Sequence, residues 1–555
     1  MSSTLPPAAF AGGRPLVYVS TLVGKRYSTQ WTLDCGASGD GLQQFEFLTE
    51  IDPAAAGFGG SVIRQRGRLW CTGDFRPVRY IGDLSGAHTE LQFDPETVSV
   101  RLPDGSSSNI PRAGADFLID SNIPGQLALV FASLWRRGAL GLSAPVRTLL
   151  FFIGQLATVP CEIEPAQDPA AAGLRFFRTS HMEEIWLDPN GLMREVRVPH
   201  VGFVAMLQDA PPPAPDWPDD LTPDRPLPTY APPKGAAFRL EDVAVAGPVV
   251  PIGATLSIPP GSGPFPGVLF VGGSGTHNRH GIAGEIDIGT HEIMDGLAER
   301  GFVGLRFDSR GAGSTALGAD ALDRGIGSNI ADARACLQFL HGRAETAGWP
   351  LFLIGHSQGG TEVLALACED QTREAVRGVV LMAAIGRDLD EVMVDQIVGH
   401  GRVLGYAPEQ VAQQVDTVRE AVSLARAGTS WEPGKVPDHV LALFRTATWL
   451  REFLCYRAQD LIARVECPVL VCQGGKDFQV SAERDAQRLV TAARAGGVDC
   501  TYALFPDLDH LFKRTSHSTL AEYNEPRPVD GEFLVTVHRW LAEHAAATHS
   551  GQIRT

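Results

Sequence analysis

Read for its alternation of apolar and polar positions, the chain falls into two halves with different rhythms. Across residues 14–207, short runs alternate with period two and are rich in aromatic and β-branched residues: Gln44–Leu48, Ser61–Leu69, Glu90–Phe93, Val98–Leu102, Leu174–Arg178 and Met193–Val198. Period two sends successive side chains to opposite faces of a strand. Asp40-Gly41, Asp104-Gly105 and Asn190-Gly191 supply turns between such runs, being dipeptides that accept the positive φ of tight hairpins. The pattern predicts an antiparallel β-rich domain over 1–207, interrupted by one helix near Pro124–Arg137. No fixed-period repeat and no catalytic constellation stands out in it.

Residues 208–235 are dense in proline, from Gln208-Asp-Ala-Pro-Pro-Pro to Tyr230-Ala-Pro-Pro-Lys-Gly. Proline removes backbone donors and stiffens extended chain, so this stretch reads as a linker. From 236 to 555 the rhythm changes. Gly267–Val271, Val303–Phe307, Leu351–Ile354 and Pro468–Cys472 are continuous apolar runs alternating with amphipathic segments of helix length. A strand apolar on both faces belongs in a mostly parallel sheet covered by helices, so an α/β, doubly wound domain is expected. Between about 387 and 460 only helical periodicity persists, which predicts a helical insertion.

At 555 residues, more than one hydrophobic core is needed,. The net charge of −17 argues against a nucleic-acid partner, which requires clustered Lys and Arg,. No run approaches the roughly 20 apolar residues of a membrane span, and Met1-Ser-Ser-Thr-Leu-Pro-Pro lacks a basic-then-apolar pattern, so a secretory signal is not expected there,. Nine cysteines without C-x-x-C spacing read as reduced, buried thiols rather than a metal or redox site,. A cytoplasmic location, with no membrane partner, is the expectation.

Chemistry concentrates in the second half. Leu351-Phe-Leu-Ile-Gly-His-Ser357-Gln358-Gly-Gly is a strand running into G-x-S-x-G and then into a helix. A nucleophile on so sharp a turn needs small neighbours, and the helix directs its positive end at the reacting centre. A serine hydroxyl needs a base, and the base an orienting carboxylate. Asp477 follows the run Val469–Cys472 and two glycines, and is preferred as the acid over Asp485 and Asp507. His510, after the run Tyr502–Phe505, is preferred as the base over His517. Gly272-Gly273-Ser274-Gly275 follows Gly267–Val271, and the N–H of Ser274 would pair with that of Gln358 to hold an oxyanion,. A phosphate loop is set aside because no Gly-Lys-Ser/Thr ending follows. His277, Arg279 and His280 could contact substrate, but bracing of the loop is favoured. Asp308 and Arg310 are expected to form a buried ion pair with each other. Glu362 is either a supporting group near Ser357 or a first-turn carboxylate.

These residues resemble the α/β-hydrolase superfamily. More narrowly, they resemble the serine esterases related to dienelactone hydrolases and the prolyl-oligopeptidase group, which carry a His-Gly-Ser-Gly-Pro-x-Asp-Arg segment. The matching stretch is Gly272–Arg279, joined by Leu305–Ser314, Gly355–Gly360, Asp507–Phe512 and the lid-like start Leu381–Glu391. Here Gly272, Thr276 and Asn278 stand where that segment has His, Pro and Asp. The likeness covers roughly 240–545 and implies hydrolysis of a small-molecule carboxylic ester through an acyl-enzyme, with no cofactor and no metal. A lactone is included among the substrates it allows. Trp449, Phe453 and Tyr456 would line the pocket or form the lid's own core. Two other readings stay open: a peptidase or amidase on the same fold, and a non-catalytic binding protein. Oligomeric state, homo-oligomer or monomer, is undecided.

Overall fold

The computed structural model describes residues 15–216 and 230–552, except 23, 53–54, 56–61, 85–86, 102–106, 113–115, 121–123, 141–145, 153–154, 162, 167–172, 180–182, 199–202, 284–285, 317–323, 405, 407, 432–434, 438–439, 441–443, 445–446, 517–521 and 524. The expected turn at Asp104-Gly105, His517 and the middle of the proline-rich stretch lie outside the described residues. The chain divides into two compact units, Met1–Leu227 and Pro228–Thr555.

The first unit is built on one thirteen-stranded antiparallel sheet. Its first strand, Leu16–Leu22, sits in the middle, paired on one side with Lys25–Ala37 and on the other with Phe203–Leu207. From Leu16–Leu22 a meander steps outward to Ser107–Pro111. The chain resumes at the far edge with Ile163–Ala166 and steps back to Phe203–Leu207. Period two is visible in burial: along Ile63–Cys71, the alternate positions Gln65, Gly67, Leu69 and Cys71 are buried. The helix Pro124–Arg136 is buried at every position from Pro124 to Leu134. Leu129 and Ala132 pack with Phe45, Phe47 and Leu91, while Val130, Phe131 and Leu134 pack with Tyr18, Phe177 and Ile185. A helix apolar nearly all round is one enclosed by its surroundings.

The second unit is built on an eight-stranded mixed sheet. Strands β1 (Arg239–Val245), β2 (Ile252–Ile258), β3 (Gly267–Val271), β4 (Val303–Phe307), β5 (Leu351–His356), β6 (Val376–Met382), β7 (Val469–Gly474) and β8 (Cys500–Phe505) form one sheet of order 1-2-4-3-5-6-7-8. Strand β2 runs antiparallel to both its neighbours, and the pairs from β4 to β8 are parallel. The apolar runs serve two faces by alternation. Leu269, Leu353, Leu381 and Val471 join one core, and Phe270, Ile354, Val380 and Leu470 the other. Helices α1 (Thr290–Ala298) and α9 (Gly531–Gln552) cover the second core; α2 (Ile326–His341), α3 (Gln358–Ala367) and α8 (Gln487–Ala495) cover the first. Between β6 and β7 lie α4 (Leu389–Leu404), α5 (Pro408–Arg426), α6 (Thr448–Cys455) and α7 (Ala458–Ile462). Among the described residues no helix is long and apolar enough to cross a membrane.

Candidate active site

Ser357 stands between β5 and α3 with φ 53° and ψ −120°, a backbone conformation that favours glycine. Holding a side chain there costs on the order of 1–3 kcal/mol, and the surroundings leave no alternative. The Ser357 N–H donates to the Met382 carbonyl at 2.8 Å. A Cβ at Gly359 would run into the carbonyl oxygens of Val271 and Gly272, one at Gly355 into the Gly359 carbonyl, and one at Gly360 into the Ala384 side chain. The glycines of the motif are therefore packing requirements: α3 starts in contact with the ends of β3 and β6. Ser357 is almost wholly buried.

His510 lies in the loop after β8, and Asp477 in the loop after β7. The His510 Nδ1 is 2.7 Å from Asp477 Oδ2. That carboxylate is fully enclosed. Its Oδ1 accepts from the N–H groups of Gln479 (2.8 Å) and Val480 (3.0 Å), and its Oδ2 also accepts from Gln473 Nε2 at 2.9 Å. So many donors fix the carboxylate's orientation, and with it the imidazole's. Asp509 stiffens the histidine loop, accepting from the Leu511 and Lys513 N–H groups and pairing with Arg527 at 2.8 Å. His356 was not anticipated. Its Nε2 donates to the His510 carbonyl at 2.9 Å, and the two rings are 4.7 Å apart. Burial, aided by neighbouring His510, pushes its pKa down to about 3, so it stays neutral. The other two carboxylates weighed from sequence are engaged elsewhere. Asp485 is buried against Arg387 at 2.9 Å, and Asp507 is exposed beside Lys476 and Arg514.

The glycine loop comes to the nucleophile's side: a Cβ at Gly273 would be 3.1 Å from that of Ser357. Ser274 is the exposed residue that follows. The His277 ring packs on Gly272 and its Nε2 is 3.3 Å from the Gly273 carbonyl; burial lowers its pKa. Arg279 is committed to the loop's own frame. Its Nε and Nη2 donate to Asp308 at 3.0 and 2.6 Å, and its Nη1 to the Ala254 carbonyl at 2.9 Å. This corrects the expected Asp308–Arg310 pair. Both residues are buried and ion-paired, but Asp308 binds Arg279, and Arg310 binds Asp332 of α2 at 2.6 Å. Two residues apart on a turn, their side chains face different elements.

Trp449 stacks on Phe444 (6.5 Å) and meets the Phe453 ring at a tilt (5.5 Å). Phe453 and Tyr456, with Thr361, Ile385, Leu389 and Arg457 among others, line a cavity of about 290 Å³ that neither Ser357 nor His510 borders. Among the described residues, Asp287, His291 and Glu292 alone have their ligand atoms within 4.8 Å of one another in the manner of a metal site. The ammonium of Lys513 is already held beside them, donating to the Asp287 carbonyl at 2.5 Å.

Residues 279–514 match the profile of a family described as serine aminopeptidase, S33. Esterase EstD of Thermotoga maritima is 27% identical over 322 residues, covering 57% of this chain and 70% of that protein. Among solved structures, Est1E from Butyrivibrio proteoclasticus is 15% identical and spans 55% of this chain and 99% of its own, with a TM-score of 0.35. The Pyrococcus furiosus esterase Pf2001 is 13% identical and spans 59% and 97%, with a TM-score of 0.36. These likenesses agree with the resemblance expected from the sequence: the second unit is similar to serine esterases of the α/β-hydrolase superfamily.

Proposed function

We propose that the chain hydrolyses a carboxylic ester through an acyl-enzyme on Ser357. The Ser357 Oγ attacks the carbonyl carbon while His510 Nε2 takes its proton. The oxyanion so formed accepts hydrogen bonds from the N–H groups of Ser274 and Gln358. The tetrahedral adduct collapses as His510 returns the proton to the departing alcohol. Water, deprotonated by His510, then attacks the acyl group, and a second collapse restores Ser357 and frees the acid. Asp477 holds the imidazole in the tautomer with its proton on Nδ1 and stabilises the imidazolium when it forms. The helices between β6 and β7 serve as a lid that shapes the pocket.

The observation that carries this reading is the 2.7 Å contact between His510 and an enclosed carboxylate, on the loop next to a serine held in strained backbone. A fluorophosphonate probe tests it. Labelling confined to the peptide containing Ser357, with loss of ester turnover, is the expected result; ester turnover that persists after complete labelling overturns it. The family profile's description favours a second reading, in which the scissile bond is an amide. A panel of esters varying in acyl length, with lactones and amino-acid amides, decides between them.

A further inference from the structure

One buried carboxylate beside the nucleophile takes no part in the chemistry just described. Glu362 is one helical turn beyond Gln358 in α3, and both side chains are enclosed. The Gln358 carboxamide folds back along the helix and donates from Nε2 to Glu362 Oε1 at 2.9 Å. The same oxygen accepts from Nδ2 of Asn329, on α2, at 3.1 Å. Arg324 and Asp332 are the charged groups that also face it. Burial pushes the Glu362 carboxyl up to about 7 against the pull of its two amide donors. An apolar side chain would fill this space without the desolvation cost of a carboxylate, so the group's presence calls for a function.

We propose that Glu362 is a positioning residue for the oxyanion hole, clamping Gln358 so that its main-chain N–H stays aimed at the reacting centre. This rests on the role given above to the Gln358 N–H. The first N–H groups of a helix have no partner within it; the peptide that carries the Gln358 N–H is held in the turn through its carbonyl, the Ser357 oxygen, which accepts from the Gly360 N–H at 3.0 Å. The carboxamide–carboxylate–carboxamide bridge adds a second restraint from the side-chain direction: it ties the first turn of α3 to its own second turn and to α2. Preorganised donors stabilise a transition state because they need no reorientation when the charge appears.

The test is a kinetic cycle on the full chain with a p-nitrophenyl ester. E362A is expected to lower kcat about 10- to 100-fold, less than the loss of a donor outright, with KM changed less than about threefold. E362Q, which keeps an amide oxygen for both donors, is expected to restore kcat to within about threefold. Q358A removes the clamp and leaves the N–H; it is expected to match E362A, and the double variant to be no worse than either single one. If E362A does not fold, Q358A and E362Q carry the comparison. Unchanged kcat in folded E362A or Q358A overturns the proposal, as does a double variant whose losses multiply. Should the wild-type chain turn over no ester, the function reading fails first; wild-type turnover with unaffected variants sinks the clamp alone.

Discussion

The imidazole of His356 donates from Nε2 to the main-chain oxygen of His510 across 2.9 Å. The residue before the nucleophile thus holds the backbone of the residue that would activate it, although 154 positions separate them. Its Nδ1 has no partner among the described residues and is buried. His356→Leu removes the donor and leaves the His510 carbonyl unsatisfied, at a cost of about 1–3 kcal/mol. A lower Tm is expected, with kcat down about tenfold, and the conservative His356→Asn is expected to lose less of both. Thermal melts and steady-state kinetics check this.

The same histidine gives the fold a dependence on pH. His356 and His280 both have pKa values pushed down to about 3, chiefly by burial, from an ordinary 6.5. Between those values the unfolded chain binds protons that the folded chain refuses, so stability is full above about pH 6.5 and falls as the pH drops toward 3. Tm measured from pH 7 to pH 4 is expected to decline steadily, and His356→Asn to show a shallower slope. A flat profile over that range would refute the burial of neutral imidazoles.

Two aspartates separate orientation from packing. Asp477→Asn is expected to leave the fold intact while disfavouring the productive tautomer of His510, lowering kcat about 10³–10⁴-fold. Asp485→Asn removes one of the two carboxylates that hold the enclosed Arg387, Asp395 being the other, so a loss of about 1–3 kcal/mol is expected. The kcat of whatever remains folded should stay near wild type. Circular dichroism melts alongside active-site-titrated kinetics distinguish the two.

Strain at the nucleophile is also measurable. Ser357→Gly removes both the hydroxyl and the penalty of a side chain at φ 53°. It is expected to raise stability by about 1 kcal/mol while abolishing turnover. Gly359→Ala is expected to do the opposite to the fold, because its Cβ meets two carbonyl oxygens of rigid backbone.

Much of this was legible in the sequence because it is local. The run Leu351–Ile354, followed by Gly355, Ser357, Gly359 and Gly360 and then a helical pattern, marks strand, turn and helix within a dozen or so positions, and the strands near Gln44–Leu48 and Met193–Val198 show in period two. Pairings between distant segments left no such trace. Leu16–Leu22 pairs with Phe203–Leu207 across the whole first unit, and neither strand's pattern names its neighbour. The partners of Asp308 and Arg310 were misassigned for the same reason, since adjacency in a turn says nothing about which helix or loop each side chain meets. His356 and Glu362 occupy positions where any residue would satisfy the motif, so their bonds to His510 and to Gln358 and Asn329 show only in three dimensions.

Ser357→Ala, assayed on a short-chain p-nitrophenyl ester beside the wild-type protein, bears most directly on the proposed chemistry. The expected result is a fall in kcat of at least about 10³-fold with an unchanged melting profile, since binding and the oxyanion donors remain but no acyl-enzyme forms. Turnover at the wild-type rate in the folded variant would contradict the assignment of Ser357 as nucleophile.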